Sequence, residues 1–152
     1  MLAARPEVRQ TDLRRAISAA YYGLFHFTLT AAADMIVGAA ERSSARYSLV
    51  YRSVEHSRLR QLCSQLSATK PQNLPLVPPD GFGSIADFAR NAGNLYELRN
   101  FADYDPSRDF TPEGARLAIS DARQAVKWFQ EAAPDQQVAF LTLLLFKPRS
   151  TF

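Results

Sequence analysis

A chain of 152 residues that is 47% hydrophobic and 22% charged is long enough to bury one proper core and has the make-up of an ordinary globular domain. Its single cysteine, Cys63, excludes an internal disulfide and a cysteine-rich metal site, and fits a reducing compartment. The formal net charge of +3 is too small to mark a nucleic-acid binder, but it is unevenly spread: residues 41–70 carry five Arg and one Lys against Glu41 and Glu55. That basic second quarter suits phosphate attraction and equally suits a solvated arginine-rich helix face. Met1–Ala4 is too short for the apolar core of a signal peptide. The longest apolar run, Val138–Phe146, falls short of the roughly 20 residues that span a bilayer. A cytoplasmic protein with no membrane association is expected.

The spacing predicts a first helix from about Glu7, or from a cap near Thr11-Asp12, to about Val37 before Gly38. At about 100° per residue, Ile17, Tyr21, Leu24 and Thr28 share a core face with Phe25 beside them. On the opposite side Arg15, Ala19, Tyr22 and His26 form a second stripe within about 60° of arc. This stripe mixes a cation, a phenol and an imidazole, so it is no plain hydrophobic seam.

A second helix is expected over roughly Glu41–Ser67, with Tyr47, Val50, Tyr51 and Val54 leading into Leu59, Leu62 and Leu66 after an angular shift. His56, among polar neighbours, reads as exposed, and Cys63, between Leu62 and Leu66, as a small core residue. Residues 68–83, with Pro71, Pro75, Pro78 and Pro79 before Asp80-Gly81, read as a long loop. A third helix opens at Ser84, whose spacing to Asp87 resembles a capping box, and ends before Asp105-Pro106. Thr111 caps a fourth helix with Pro112 at its first position; Ala115, Ile119, Ala122, Val126 and Phe129 face the core, with Trp128 off that stripe. Residues 134–147 form a last helix, apolar on nearly every side, which has to be sandwiched within the monomer or between subunits. The whole of 1–152 therefore reads as a single all-α domain, a bundle of about five helices.

Several chemistries have no support: there is no glycine-rich phosphate loop, no His-Glu-x-x-His, no calcium loop and no nucleophile elbow. One feature stands out instead. The inward stripe Ile85, Phe88, Ala92, Tyr96 of the third helix continues onto Arg99 and then Asp103, placing a guanidinium where the pattern wants an apolar residue. A buried arginine needs a partner. Either Arg99 and Asp103 pair at i, i+4 in a structural polar cluster, or cation, phenol and imidazole converge on one anion.

The run Arg14-Arg15-Ala16-Ile17-Ser18-Ala19-Ala20-Tyr21-Tyr22-Gly23-Leu24-Phe25-His26, followed by Leu98-Arg99-Asn100-Phe101-Ala102-Asp103-Tyr104-Asp105-Pro106, resembles the HEPN superfamily. It is closest to the branch with a Tyr-Tyr-x-x-Phe-His first helix and an Arg-x-x-Ala-Asp-Tyr-Asp segment. The resemblance implies an up-and-down helical bundle that often forms a homodimer, with its motif arginines near the cleft between subunits. Many members are metal-independent endoribonucleases, including toxins of toxin–antitoxin pairs and defence effectors, with an Arg-x4–6-His signature. Arg99-Asn100 matches the start of that signature, but Tyr104 stands where the histidine is expected and no histidine follows His56.

In the enzymatic version Arg99 stabilises a charged phosphorane, Asn100 orients the phosphate, His26 moves the proton and Tyr104 donates. Tyrosine, with an ordinary pKa near 10, is a poor base at neutral pH. Arg15, Tyr22 and Asp103 complete the binding set, and no metal or cofactor is implied. In the alternative the chain is a non-catalytic interaction module, an antitoxin or accessory subunit, with the Arg99 cluster as a structural clasp. RNA or a nucleotide, a second copy, and an antitoxin or nucleotidyltransferase partner are the associations these versions imply.

Overall fold

The apolar spacing of the first helix does what it predicts. Ile17, Tyr21, Leu24 and Thr28 are all buried in a computed structural model that describes residues 6–68 and 74–148. They line the inner face of α1 (Pro6–Ile36), and the one polar member, Thr28, satisfies its hydroxyl by donating to the Leu24 carbonyl at 2.8 Å.

The region expected as one helix over 41–67 is broken. A short 3-10 turn (Ala39–Glu41) is followed by α2 (Ala45–Tyr51) and α3 (His56–Ser67). Ser44 caps α2 by accepting the Tyr47 amide at 3.1 Å. The Ser53 hydroxyl donates back to the Val50 carbonyl at 2.7 Å, a local bond that competes with helical pairing, while Val54 is buried in the gap. The break absorbs the angular shift between the two apolar stripes: Tyr47 and Val54 point inward from one side of it, and Leu59, Leu62 and Leu66 from the other.

The described part of the loop covers the core rather than leaving it, with Pro78 and Phe82 buried. Then come α4 (Ser84–Tyr104), α5 (Pro112–Glu131) and α6 (Pro134–Leu145), so the described residues hold six α-helices and no strand. α4 is central, packed on α1, α3 and α5, and α6 closes one end against α1, α3 and α4. Phe88, Phe129 and Phe140 meet edge to face where α4, α5 and α6 converge, with ring centroids 5.3–6.2 Å apart. The apolar α6 is thus sandwiched within the monomer: Ala139, Phe140, Leu141, Leu143 and Leu144 are buried and Val138 faces out. Trp128 is half-buried against this core.

Thr111 caps α5 as expected, its hydroxyl accepting from the Gly114 amide at 3.0 Å. The capping box expected at Ser84 does not form. The Ser84 hydroxyl donates to the Trp128 carbonyl at 2.6 Å, Asp87 pairs with Arg90 at 3.2 Å, and the position before the helix is Gly83 at φ 55°. Two constraints meet at that glycine. Its positive φ disfavours any side chain, and an added Cβ would lie 2.8 Å from Gln136 Oε1, whose amide also donates to the Gly81 carbonyl at 3.1 Å. No helix among the described residues is long and apolar enough to cross a membrane.

Gly83→Ala should therefore lower stability by about 1–3 kcal/mol, read as a drop in the urea midpoint at unchanged slope, although the position is exposed.

Candidate functional site

Two polar stripes meet where α1 passes the C-terminal end of α4. On α4 the inward series reaches Arg99, which is only 6% exposed. Its guanidinium carbon lies 5.1 Å from the Tyr21 ring centroid, 5.3 Å from Tyr22 and 5.5 Å from Tyr96. One turn on, the Asp103 carboxylate stands 3.8 Å from Nη1. Desolvated cation–π contacts contribute about 0.5–2 kcal/mol each. A long ion pair to a carboxylate that is a quarter exposed contributes about 0–1 kcal/mol. The aromatic cage, more than the acid, compensates the buried charge. That compensation is incomplete, because Arg99 Nε is buried without an acceptor, at a cost of about 1–3 kcal/mol.

α1 holds the other side. The Ser18 hydroxyl donates to Asp103 Oδ1. One turn earlier, Arg14 donates to the Ala102 carbonyl at 2.9 Å, the Phe101 carbonyl at 3.3 Å and the Arg108 carbonyl. It thereby serves the Ala102 carbonyl in the last turn of α4, while the Phe101 carbonyl also takes the Asp105 amide at 3.0 Å. A turn before that, the Gln10 amide donates to the Phe110 carbonyl at 2.7 Å and accepts the Phe110 amide at 2.9 Å. Gln10, Arg14 and Ser18 thus stitch α1 to the end of α4 and to the segment that follows it.

The imidazole nearest this cluster is His56. It opens α3, stacks on Phe25 with centroids 3.9 Å apart, and its Nδ1 shares a 2.8 Å hydrogen bond with the Tyr21 hydroxyl. Burial holds its pKa below the ordinary histidine value, and the positive charge of Arg99 and the neighbouring His26 push the same way. Burial raises the Tyr21 phenol well above its ordinary value, with the Arg99 charge pulling back. A neutral imidazole and a protonated phenol therefore sit beside a fixed cation at neutral pH.

The residues singled out from sequence are distributed unevenly around this cluster. Arg99, Tyr22 and Asp103 are in it. His26 is exposed and turned to α2, its Nδ1 bonded to the Tyr51 hydroxyl at 2.7 Å. Tyr104 is 74% exposed, Asn100 is half-buried, and Arg15 is exposed with no ion pair among the described residues. His56, read as exposed, is instead half-buried. Sequence reasoning gave no site role to Gln10, Arg14, Ser18, His56 or the two cage phenols Tyr21 and Tyr96, which it placed only on inward stripes. The first three recur every fourth residue on α1, a signal present in the pattern; His56 arrives from another helix and carries none. No cluster of His, Cys, Asp and Glu suited to a metal ion occurs among the described residues.

Because the folded state resists protonating His56, the unfolded chain takes up that proton first. Stability should fall as pH drops from above the ordinary histidine value, near 6.5, toward the lower folded value. Melting temperatures at pH 7.5 and 5.5 should differ more for the natural chain than for His56→Gln, whose profile should be flatter over that window.

Comparison with family models, curated proteins and solved structures yields no match to this chain.

Proposed function

We propose that this chain is a non-catalytic, HEPN-like interaction module in which the Arg99 cluster is a clasp joining α1 to the end of α4. The observation that carries this reading is the burial of Arg99 at 6% exposure beneath Tyr21, Tyr22 and Tyr96. A guanidinium that neutralises a phosphate has to present its donors to the ligand; this one presents them to ring faces and to Asp103. The dispersal of the other candidate groups supports the same conclusion, since His26 and Tyr104 lie on surfaces outside the cage.

What the clasp displays is a partner surface. Phe101 and Tyr104, 39% and 74% exposed, lie three residues apart and so share one side of α4. The Arg108 guanidinium rests 4.3 Å over the Phe101 ring. Exposed aromatics flanked by arginine are the composition of protein-contact hot spots. In this reading the partner is a protein, an antitoxin-type or accessory subunit or a second copy of the chain.

A second reading, metal-independent RNA cleavage, is favoured by one observation: His56, hydrogen-bonded to Tyr21 and influenced by the Arg99 charge, offers an imidazole that the Arg99–Tyr104 segment lacks. One experiment separates the two. Purified protein is incubated with single-stranded RNA in EDTA, alongside Arg99→Ala, and both proteins are melted in urea. The clasp predicts no cleavage by either protein and a stability loss of about 3 kcal/mol in Arg99→Ala, with Asp103→Asn losing no more than about 1 kcal/mol. EDTA-resistant cleavage abolished in an Arg99→Ala variant of native stability would overturn it.

A further inference from the structure

Arg58 is placed where a positive charge is poorly tolerated. It stands in the first turn of α3, at the positive end of the helix dipole, and it is half-buried. Nη1 donates to Gln61 Oε1 at 3.1 Å and Nη2 to the Leu143 carbonyl of α6. Nε is buried with no acceptor. All of its partners are neutral. By contrast, Arg42, Arg60, Arg90 and Arg99 each have a carboxylate within 3.8 Å. An arginine remains charged even when burial lowers its affinity for the proton, so Arg58 holds a partly desolvated cation with no counter-charge among the described residues.

Arg58 opens on a cavity of about 80 Å³ between α3 and α6, lined also by Gln61, Gln65, Leu74, Leu143 and Lys147. Among the described residues the lining brings together two cations and two carboxamides and contains no acid. Space of this size suits an ion of a few heavy atoms, and its open side lets a larger group attached to that ion extend into solvent. A phosphate group carries about −1.5 to −2 near neutral pH, the charge that Arg58 and Lys147 together would balance. Its oxygens accept hydrogen bonds in several directions, matching the Arg58 guanidinium, the Lys147 ammonium and the amide donors that line the cavity.

We propose that this cavity is a binding site for a phosphate-type oxyanion, either free phosphate or the terminal phosphate of a small phosphomonoester, with Arg58 and Lys147 as its cationic ligands. The site shares no residue with the Arg99 cluster and does not depend on the clasp reading.

The test is calorimetric titration of the full chain with inorganic phosphate, sodium chloride holding ionic strength constant. Saturable one-to-one binding is expected, weakened at least tenfold in Arg58→Gln and in Lys147→Ala, whose exposed side chain can be removed without disturbing the core. Adenosine 5′-monophosphate, with adenosine as control, identifies the source. Affinity equal to that of phosphate assigns a terminal phosphate, binding of inorganic phosphate alone assigns the free ion, and binding of neither overturns the site. Phosphate also stabilises folded proteins generally by exclusion from their surface. A melting-temperature rise of equal size in the natural chain and Arg58→Gln, without saturable heats, therefore counts against it. Should Arg58→Gln fail to fold, Lys147→Ala decides alone: unchanged phosphate affinity overturns the assignment.

Discussion

A guanidinium under three aromatic rings fixes how α1 crosses α4. The rings come from both helices, Tyr21 and Tyr22 from one and Tyr96 from the other, so the cation works as a joint between them. Sliding either helix by one turn would carry Arg99 out of its cage and leave a charge in an apolar layer. Leu or Met at this position would pack, but would not select one register so narrowly; the price of that selection is one unsatisfied Nε. The Gln10–Arg14–Ser18 series extends the same registration, meeting successive groups from Asp103 to Phe110.

Much of this architecture was legible because apolar periodicity reports the core directly. Ile17, Tyr21, Leu24 and Thr28 on α1 and Ile85, Phe88 and Ala92 on α4 are buried, and the same extrapolation that placed Arg99 inside was correct. The helix break between α2 and α3 was not legible. No Gly or Pro marks residues 41–67, and only the angular shift between the two stripes hinted at it. That break brings His56 to the mouth of the Tyr21–Phe25 layer, which is why the imidazole next to the cluster is the one that periodicity on α1 alone did not suggest. Ser84 illustrates the other limit. Its local pattern fits a cap, but a carbonyl on α5 took the hydroxyl, and competition from a distant acceptor leaves no local trace.

The arginine-rich second quarter shows why charge counting along the chain says little about surfaces. Arg42 reaches back to α1, where it and the Tyr47 hydroxyl both meet Asp34, and the Arg42 bond holds that carboxyl below its ordinary pKa. Arg60 pairs with Glu97 of α4 at 2.9 Å and lies 5.7 Å from the Tyr96 ring. Arg58 turns inward toward α6. Charges that are neighbours in sequence thus diverge onto three different helices, each acting as a tether, and no single basic face results from them.

Arg99 and Arg58 solve the same problem in different ways. Both are arginines with a buried, unpaired Nε. Arg99 is packed by polarisable ring faces and backed by Asp103, so its surroundings supply negative potential from within the fold. Arg58 has only a carboxamide and a main-chain carbonyl, whose dipoles attract a cation more weakly than a carboxylate does. It adjoins a cavity bearing a second cation. A charge already compensated by its own chain has less to offer a ligand, whereas one compensated only by dipoles keeps a Coulomb attraction for an arriving anion, reduced by solvent screening and by desolvation. The contrast supports the proposals that an anion site lies with Arg58 at the α3–α6 junction and that the arginine of the sequence motif serves the scaffold.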